Sequence, residues 1–338
     1  MSKAIAYLDH NFVSNLTKAR LGRIRDVGEQ GYYARLLQLL DRLVLDNRIV
    51  CPQSTSHELE AEFDRRLEHE IIATIGSLAR GVAFLDDTQV LCNQVTKALC
   101  TYLGKHPPEW FGPWAEAFEE DPHAPAVRDL PAVDARIRVP GRPERARWLK
   151  KRYVEDIRIV RRRRLGQPLT FQTQIRRETL SLADSCYFEA FRRIHDVLVT
   201  GHKGIDALDG TLHALALHRT YCELTGVEQT LNLEPQFLAF FQSHEFASAP
   251  YVHICSSLHA ASLVYSPERQ PQQGDLYDMG TMSTVLPYCD IVATDRHMQW
   301  LIRQVGLDTQ YGVEVFSARK ADLTAFFDRL TALAWVRA

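Results

Sequence analysis

Late in the chain, four aspartates surround a short apolar run within GDLYDMGTMSTVLPYCDIVATD, residues 274–295. These aspartates are Asp275, Asp278, Asp290 and Asp295, and the last two bracket the run IVAT. Carboxylates that crowd together repel one another, and several stay ionised only when a cation compensates their charge. Their number and spacing predict a site for Mg²⁺ or Mn²⁺, hard cations that prefer oxygen ligands. A pair of such ions activates water and stabilises the leaving oxygen of a phosphodiester.

A further aspartate, Asp9, directly follows the apolar run AIAYL, just as Asp295 follows IVAT. Both runs are typical of short buried strands. Strands that alternate with helices form parallel sheets, and such sheets bind ligands beyond the carboxyl ends of their strands. We therefore expect Asp9 and Asp295 to lie at the same edge of one sheet.

A third group of polar side chains, in the stretch STSHELE, follows the apolar run RIVC. Ser54 and the start of the next helix are expected at the same sheet edge. Glu60 shares a helix face with His57, three residues earlier. Two roles stay open for His57. It binds the scissile phosphate or exchanges protons near neutral pH, or it caps the helix and packs beside Glu60, which is the role that we favour.

Several of the other acids also have a local explanation. Asp275 and Asp278 suit the N-cap and first turn of a helix, where a carboxylate is stabilised. Thr55 to Glu58 matches a capping box, in which Glu58 serves its own helix. Asp290 suits the end of a turn before a strand. Asp9 and Asp295 lack an explanation of this kind because each follows an apolar strand directly.

Strands and helices at the two ends of the sequence must position these residues. Apolar runs predict strands at 4–8, 48–51, 290–294 and 313–316, and helical periodicity predicts helices at 32–45, 53–67, 275–284, 296–305 and 320–333. Residues 63–250 show helical patterns without a βαβ unit. The predicted fold class is α/β, a parallel β-sheet flanked by helices with a large all-α insertion. Residues 1–62 and 251–338 would form the discontinuous α/β domain, and 63–250 the helical insertion domain.

Composition limits the class of protein. The chain has 338 residues, 46% of them hydrophobic and 24% charged, which is typical of a globular protein with two domains or one large insertion. No apolar run reaches the roughly 18 residues that a membrane helix needs. The first residues lack the pattern of a signal peptide. The seven cysteines show no zinc-binding spacing, so we expect reduced thiols in a cytoplasmic protein that does not contact a membrane.

The net charge of −2 conceals one basic segment, residues 136–177, which holds 15 Lys and Arg against three acids. It contains the run Arg161, Arg162, Arg163 and Arg164. A basic segment in a nearly neutral protein predicts a surface for a polyanion such as nucleic acid. The alternative is a solvated helix face.

The order of these features resembles the PIN-like nuclease superfamily. The motifs that carry the resemblance are AYLDHN, STSHELE, GDLYD and DIVATD, and their combination is similar to a bacterial branch with helical insertions. The resemblance implies a PIN-like sheet with Asp9, Glu60, Asp278 and Asp295 as the acids that bind Mg²⁺ or Mn²⁺. Asp275 and Asp290 would be auxiliary, and Asn11 and Thr294 would orient groups in the site. The resemblance covers about 150 residues at the two ends of the chain.

The resemblance implies a metal-dependent endoribonuclease whose products carry 5′-phosphate and 3′-hydroxyl ends. On this interpretation Ser54, His57 and the run 161–164 contact the substrate, and the expected partner is nucleic acid, RNA in particular. The superfamily includes toxins with antitoxin partners, but nothing in this chain shows one. The sequence is compatible with a homo-oligomer and leaves the oligomeric state open.

Two other functions stay open. One is a non-catalytic or regulatory RNA-binding module on a PIN-like scaffold, although such a module has no need for four converging carboxylates. The other is a phosphatase of the haloacid dehalogenase type, because YLDHN resembles the first motif of that family. Asn11 stands where that motif has its second acid, so the proton donor of such a phosphatase would be missing.

Overall fold

The computed structural model describes residues 3–61, 66–107, 114–124, 155, 170–200, 211–230, 233–272 and 274–335. Most of the basic segment 136–177, including Arg161 to Arg164, lies outside the described residues. The expectation that this run binds a polyanion therefore stays a prediction.

Four short parallel strands form one sheet, in the order β2-β1-β3-β4. The strands are β1 (Ala4–Leu8), β2 (Ile49–Val50), β3 (Ile291–Thr294) and β4 (Glu314–Ser317). Each lies within two residues of its predicted position. The prediction of a parallel sheet flanked by helices is confirmed.

Helices make up most of the remaining described chain. Those before residue 110 are α1 (His10–Arg20), α2 (Val27–Leu45), α3 (Thr55–Ala61), α4 (Glu68–Ala79) and α5 (Asp87–Tyr102). Those of the middle are α6 (Phe171–Ala183), α7 (Glu189–Thr200), α8 (Leu212–Thr225), α9 (Pro235–Phe240), α10 (His244–Ser248) and α11 (Pro250–Tyr265). The last are α12 (Asp275–Val285), α13 (Arg296–Gln304), α14 (Leu307–Tyr311) and α15 (Lys320–Trp335). One π-helical turn, Asp184–Phe188, joins α6 to α7.

Alternating side chains of the strands enter two separate hydrophobic cores. In β1, Ile5 and Tyr7 face one core, whereas Ala6 and Leu8 face the other. Successive strand residues point to opposite faces of a sheet, and both faces of this sheet are covered. This explains why the strands are short continuous apolar runs rather than alternating ones.

The two cores are covered by different helices. The core of Ala6 and Leu8 contains buried residues of α1, α2, α4 and α15. The core of Ile5 and Tyr7 contains buried residues of α5, α8, α9, α11 and α12. Helices from the 63–250 part of the chain thus pack directly on both faces of the sheet.

The chain that follows α4 also extends the sheet beyond β2. Gln53 forms a parallel bridge with Ala83, and Phe84 forms an antiparallel bridge with Phe118. The Gln53 N–H donates to the Val82 carbonyl (3.0 Å), and the Phe84 N–H donates to the Gln53 carbonyl (2.8 Å). Within the described chain, this middle part therefore contributes extended backbone as well as helices. No described helix is long and apolar enough to cross a membrane.

Candidate metal centre

The carboxyl ends of β1 and β3 bring Asp9 and Asp295 to the same edge of the sheet. Leu8 pairs with Ala293 in the register of the two strands. The Asp9 N–H continues this ladder by donating to the Ala293 carbonyl (2.8 Å). Asp9 and Asp295 are thus the first residues beyond two adjacent strands, which is where ligands bind in parallel sheets.

Asp9 is a buried carboxylate, with 9% of its surface exposed. It occupies the N-cap position of α1, yet its side chain makes no capping hydrogen bond. Burial, followed by repulsion from Glu60 and Asp295, raises the pKa of Asp9 to about 7. Hydrogen bonds from the His10 backbone and the Asn11 side chain oppose this rise. The raised pKa of Asp9 thus reflects its burial and the negative charge of two neighbouring acids.

Asp295 also has a structural task at the start of α13. Its Oδ1 atom accepts hydrogen bonds from the backbone N–H groups of His297 (2.6 Å) and Met298 (3.1 Å). An aspartate at an N-cap satisfies helix N–H groups that have no partner within the helix. These bonds hold the carboxylate in one orientation at the sheet edge.

Glu60 reaches the same region from α3. Its Oε2 atom lies 3.9 Å from Nδ1 of His10, the first residue of α1. The charge of Glu60 is the largest electrostatic contribution to the raised pKa of Asp9. The end of α3 and the first residue of α1 thus come together at this edge.

Asp278 joins the group from α12. Burial comes first among the causes that raise the pKa of Asp278 to about 9, and repulsion from Asp9, Glu60 and Asp295 follows. Without a cation, this carboxyl group holds a proton at neutral pH. The structure thus brings together four acids from four separate parts of the sequence.

Asp275 lies near this group but already has a cation. Its two carboxylate oxygens accept hydrogen bonds from the guanidinium of Arg269, at 2.6 and 2.9 Å. The Gln272 N–H donates to the same carboxylate (2.9 Å). A bidentate arginine pair satisfies both oxygens, so Asp275 is held in a structural bond and does not need a metal ion.

Asp290 does not join the group, contrary to the expectation of an auxiliary role. It precedes β3, and so it lies at the amino end of the strand whose carboxyl end leads to Asp295. Its Oδ2 atom accepts a hydrogen bond from the Ile5 N–H (2.8 Å) at the start of β1. Parallel neighbours place their amino ends at the same edge, opposite to the edge of the acids. Asp290 therefore ties two strands together.

His57 is fully buried and holds α3 against β1. Its Nδ1 atom accepts a hydrogen bond from the Ser54 N–H (3.1 Å), and its Nε2 atom lies 2.6 Å from the Leu8 carbonyl oxygen. These bonds assign a neutral ring with its proton on Nε2. Burial lowers the pKa of His57 to about 4. The capping arrangement thus joins Ser54 to His57, one residue earlier than the expected pair of Thr55 and Glu58.

Ser54, Thr294 and Asn11 differ in their access to the site. Ser54 is buried, and its hydroxyl lies 3.2 Å from that of Tyr7. Thr294 is buried at the end of β3, with 1% of its surface exposed. Asn11 is exposed and bonds to Asp9. Of these three, only Asn11 combines exposure with a contact to the acids.

The chemistry of the four acids suits a hard cation because all the donors are carboxylate oxygens. None of Asp9, Asp278 and Asp295 has a lysine or arginine partner within the described chain. Among the described residues, however, no group of three or more His, Cys, Asp or Glu has a geometry that could hold a metal ion. Metal binding would therefore need a different arrangement of these side chains.

Two further contacts were not expected from the sequence: that of His10 with Glu60, and that of Asp87 with α12, the helix that carries Asp278. His10 follows Asp9 directly in the motif AYLDHN, and this position could have indicated that His10 lies beside the acids. Asp87, the first residue of α5, is 197 residues away from Thr284, whose hydroxyl donates to its Oδ1 atom (2.8 Å). Burial raises the pKa of Asp87 to about 6. No local pattern connects Asp87 to α12, because their contact is long-range.

No protein-family model matches this chain, and neither the curated proteins nor the solved structures give a match. The chemistry assigned to the site depends on its own residues.

Proposed function

We propose that the protein is a metal-dependent nuclease that hydrolyses phosphodiester bonds of RNA on a PIN-like α/β domain with a helical insertion. The observation that supports this most is the electrostatic coupling of four acids at the carboxyl edge of the sheet. Burial and, after it, repulsion from the other acids raise the pKa of Asp9 to about 7 and that of Asp278 to about 9. Such a cluster is unfavourable without a cation and becomes useful with one.

Asp9, Glu60, Asp278 and Asp295 would hold Mg²⁺ or Mn²⁺. When bound, the metal supplies an activated water and neutralises charge on the leaving oxygen of a phosphodiester. Asp275 and Asp290 are not included in this proposal, because Arg269 and the Ile5 N–H already engage them.

The chain's own residues position the acids. Asp9 is held by the β1–β3 ladder and Asp295 by the cap of α13. His57 stays neutral near pH 7 and fixes the first turn of α3, and Glu60 lies in the next turn of the same helix. His57 is therefore a positioning residue in this proposal, and not a proton carrier.

The decisive experiment compares two isosteric changes on either side of β3. We expect Asp295→Asn to abolish cleavage of labelled RNA in Mn²⁺ or Mg²⁺, because it removes one charged ligand while an asparagine still caps α13. Asp290→Asn is the matched control, with the same charge change at the other end of the strand, and should cleave like the native protein. EDTA should stop RNA cleavage by the native protein and by Asp290→Asn.

Metal binding is tested separately by thermal unfolding. A cation at free concentration L that binds only the folded protein stabilises it by RT ln(1 + L/Kd), so its melting temperature rises with the logarithm of the cation concentration once that concentration exceeds Kd. We expect Mn²⁺ to stabilise the native protein and the Asp290→Asn control, and to stabilise Asp295→Asn less. If Mn²⁺ raises the melting temperature of all three proteins equally, Asp295 does not bind the metal ion. RNA binding without cleavage would favour the non-catalytic RNA-binding function instead.

A further inference from the structure

Three exposed cations lie beside the acidic edge, on its β4 side. Arg296 begins α13 directly after Asp295, and Arg319 and Lys320 follow the end of β4. Thr294 pairs with Ser317 in the register of β3 and β4. The chain segments that carry the three cations therefore leave the sheet at the same level, next to Asp295.

Contacts between α13 and the start of α15 bring these cations onto one surface. Gln299 donates to the Val315 carbonyl of β4 (3.0 Å) and also bonds to Asp322 in the first turn of α15. Residues three apart share a helix face, so Arg296 lies one turn before Gln299 on the side of α13 that faces α15. None of the three cations forms an ion pair within the described chain.

An aromatic pair adjoins this surface. Trp300 is 36% exposed, and its ring stacks with that of His297 at a centroid distance of 6.0 Å and an interplanar angle of 18°. Trp300 lies four residues after Arg296, so both point from the same side of α13. A partly exposed indole beside cations offers the two contacts that single-stranded nucleic acid uses, a charged path for phosphates and a ring for a base.

We propose that Arg296, Trp300, Arg319 and Lys320 form a binding surface for single-stranded nucleic acid, here named the α13 surface. The cations hold backbone phosphates, and Trp300 stacks against an unpaired base. The cations also offset the repulsion between a phosphate backbone and the neighbouring acids. The importance of the surface for cleavage rests on the proposed nuclease function, but binding to it does not require a metal ion.

The test measures binding without catalysis. Fluorescence anisotropy follows a labelled oligouridylate of about 12 nucleotides, a length within the usual site sizes, in EDTA and over a range of KCl concentrations. One variant is Arg296→Gln/Arg319→Gln/Lys320→Gln. Its matched control is Arg23→Gln/Arg25→Gln/Arg35→Gln, which removes three exposed cations from the α1–α2 region. Trp300→Leu is matched with Trp335→Leu, an exposed tryptophan at the far end of α15.

We expect the first triple variant to bind more weakly and to lose about 2 from the salt slope, since each phosphate contact in a single strand contributes about 0.7. Trp300→Leu should weaken binding by about 10-fold without a change in salt slope, because stacking is not an ionic contact. Trp300→Phe should retain most of the affinity. Both controls should bind like the native protein.

Equal affinities and slopes for the two triple variants would overturn the proposal, as would an unchanged affinity of Trp300→Leu. A duplex that binds as tightly as the single strand would also overturn it. So would displacement of the oligonucleotide by polyglutamate at an equal charge concentration, which would assign the surface to an acidic protein. If the native protein cleaves RNA but the α13 variants bind normally, the proposed binding surface fails and the proposed nuclease function survives. If RNA binds through the α13 surface but is not cleaved in Mn²⁺, the binding surface survives and the nuclease function fails.

Discussion

At the scale of single residues, the partners of each aspartate decide its role more than its type does. Asp275 is neutralised by Arg269, Asp290 accepts from a strand N–H, and Asp295 caps a helix. Asp9 makes no cap, and burial together with like charges raises its pKa and that of Asp278. Acids that pair with no described lysine or arginine are therefore concentrated at one edge of the sheet.

This charge makes a prediction about the pH dependence of stability. The pKa of Asp278 is raised from 3.8 to about 9 in the folded protein, so the folded state binds more protons than the unfolded state between these values. Stability contributed by the protonated carboxyl is present at low pH and is lost as the pH rises through the folded pKa. Without divalent cations, we expect the free energy of unfolding to fall by about 1 kcal/mol from pH 7 to pH 8.

Urea unfolding at the two pH values measures this effect. The window lies above the pKa of His57, about 4, and that of Asp87, about 6, but it includes the pKa of Asp9, about 7, so Asp9 adds a smaller loss of stability of the same sign. Asp278→Asn should therefore reduce the pH dependence, whereas Asp290→Asn should keep it. A stability that rises from pH 7 to pH 8 in the native protein would show that the acids are not repelling one another.

At the scale of elements, α12 must be held in place because it carries Asp278. The Thr281 hydroxyl contacts that of Ser56 in α3, and Thr284 donates to Asp87 at the start of α5. Gly280 lies one turn before Thr284 and also lies against Asp87 at the start of α5. The position of Asp278 relative to Asp9 thus depends on two neighbouring helices.

Gly280 makes this packing testable. A Cβ atom at this position would lie 3.0 Å from Oδ2 of Asp87 and 3.4 Å from the Tyr251 hydroxyl, whereas a Cβ at Gly76 in α4 meets nothing within 4 Å. Alanine in a helix is favoured over glycine by about 1 kcal/mol. We expect Gly76→Ala to raise the free energy of unfolding by about 0.5–1 kcal/mol and Gly280→Ala to lower it by about 1 kcal/mol or more.

Urea denaturation of the two variants gives the comparison, and RNA cleavage by Gly280→Ala reports whether Asp278 has moved. If Gly280→Ala gains as much stability as Gly76→Ala, then the contact between α5 and α12 is loose, and Asp87 does not set the position of α12.

At the scale of the whole molecule, the sheet separates two cores that draw on distant parts of the chain. The face with Ile5, Tyr7 and Val292 packs against helices between residues 87 and 265. The opposite face takes in Ile71, Ile75 and Leu78 of α4. The expected α/β domain of residues 1–62 and 251–338 therefore shares its cores with the part of the chain between them.

A shortened chain that joins residues 1–62 to 251–338 tests this dependence. It would expose side chains of the core that one sheet face shares with buried residues of α5, α8 and α9. Each large apolar side chain returned to water costs about 1.5–3 kcal/mol, against a total stability of about 5–15 kcal/mol for a typical domain. We expect the shortened chain to lack near-ultraviolet circular dichroism and cooperative urea unfolding, both of which the full chain should show. Cooperative unfolding of the shortened chain would establish an independent α/β domain.

Much of the fold could be predicted from local sequence. The apolar runs AIAYL and IVAT predicted β1 and β3 within one residue, because a strand buried on both faces is a short continuous apolar run. The predicted helix at 53–67 was too long, since α3 starts at Thr55 and residues 66 and 67 form a turn before the helix that starts at Glu68. The bridge between Gln53 and Ala83 escaped prediction because one pair of residues has no periodicity.

The sequence by itself determined which acids stand at the ends of strands and helices. For Asp9 and Asp295 this was enough to predict that both lie at the carboxyl edge of the sheet. The carboxyl ends of neighbouring parallel strands lie together whatever the detailed packing. Only the tertiary structure decided that Asp275 pairs with Arg269, that Asp290 faces the opposite edge, and that Asp87 meets Thr284. The physical reason is that strand ends follow from local periodicity, whereas the partner of a side chain depends on strand register and on helices far away in the sequence.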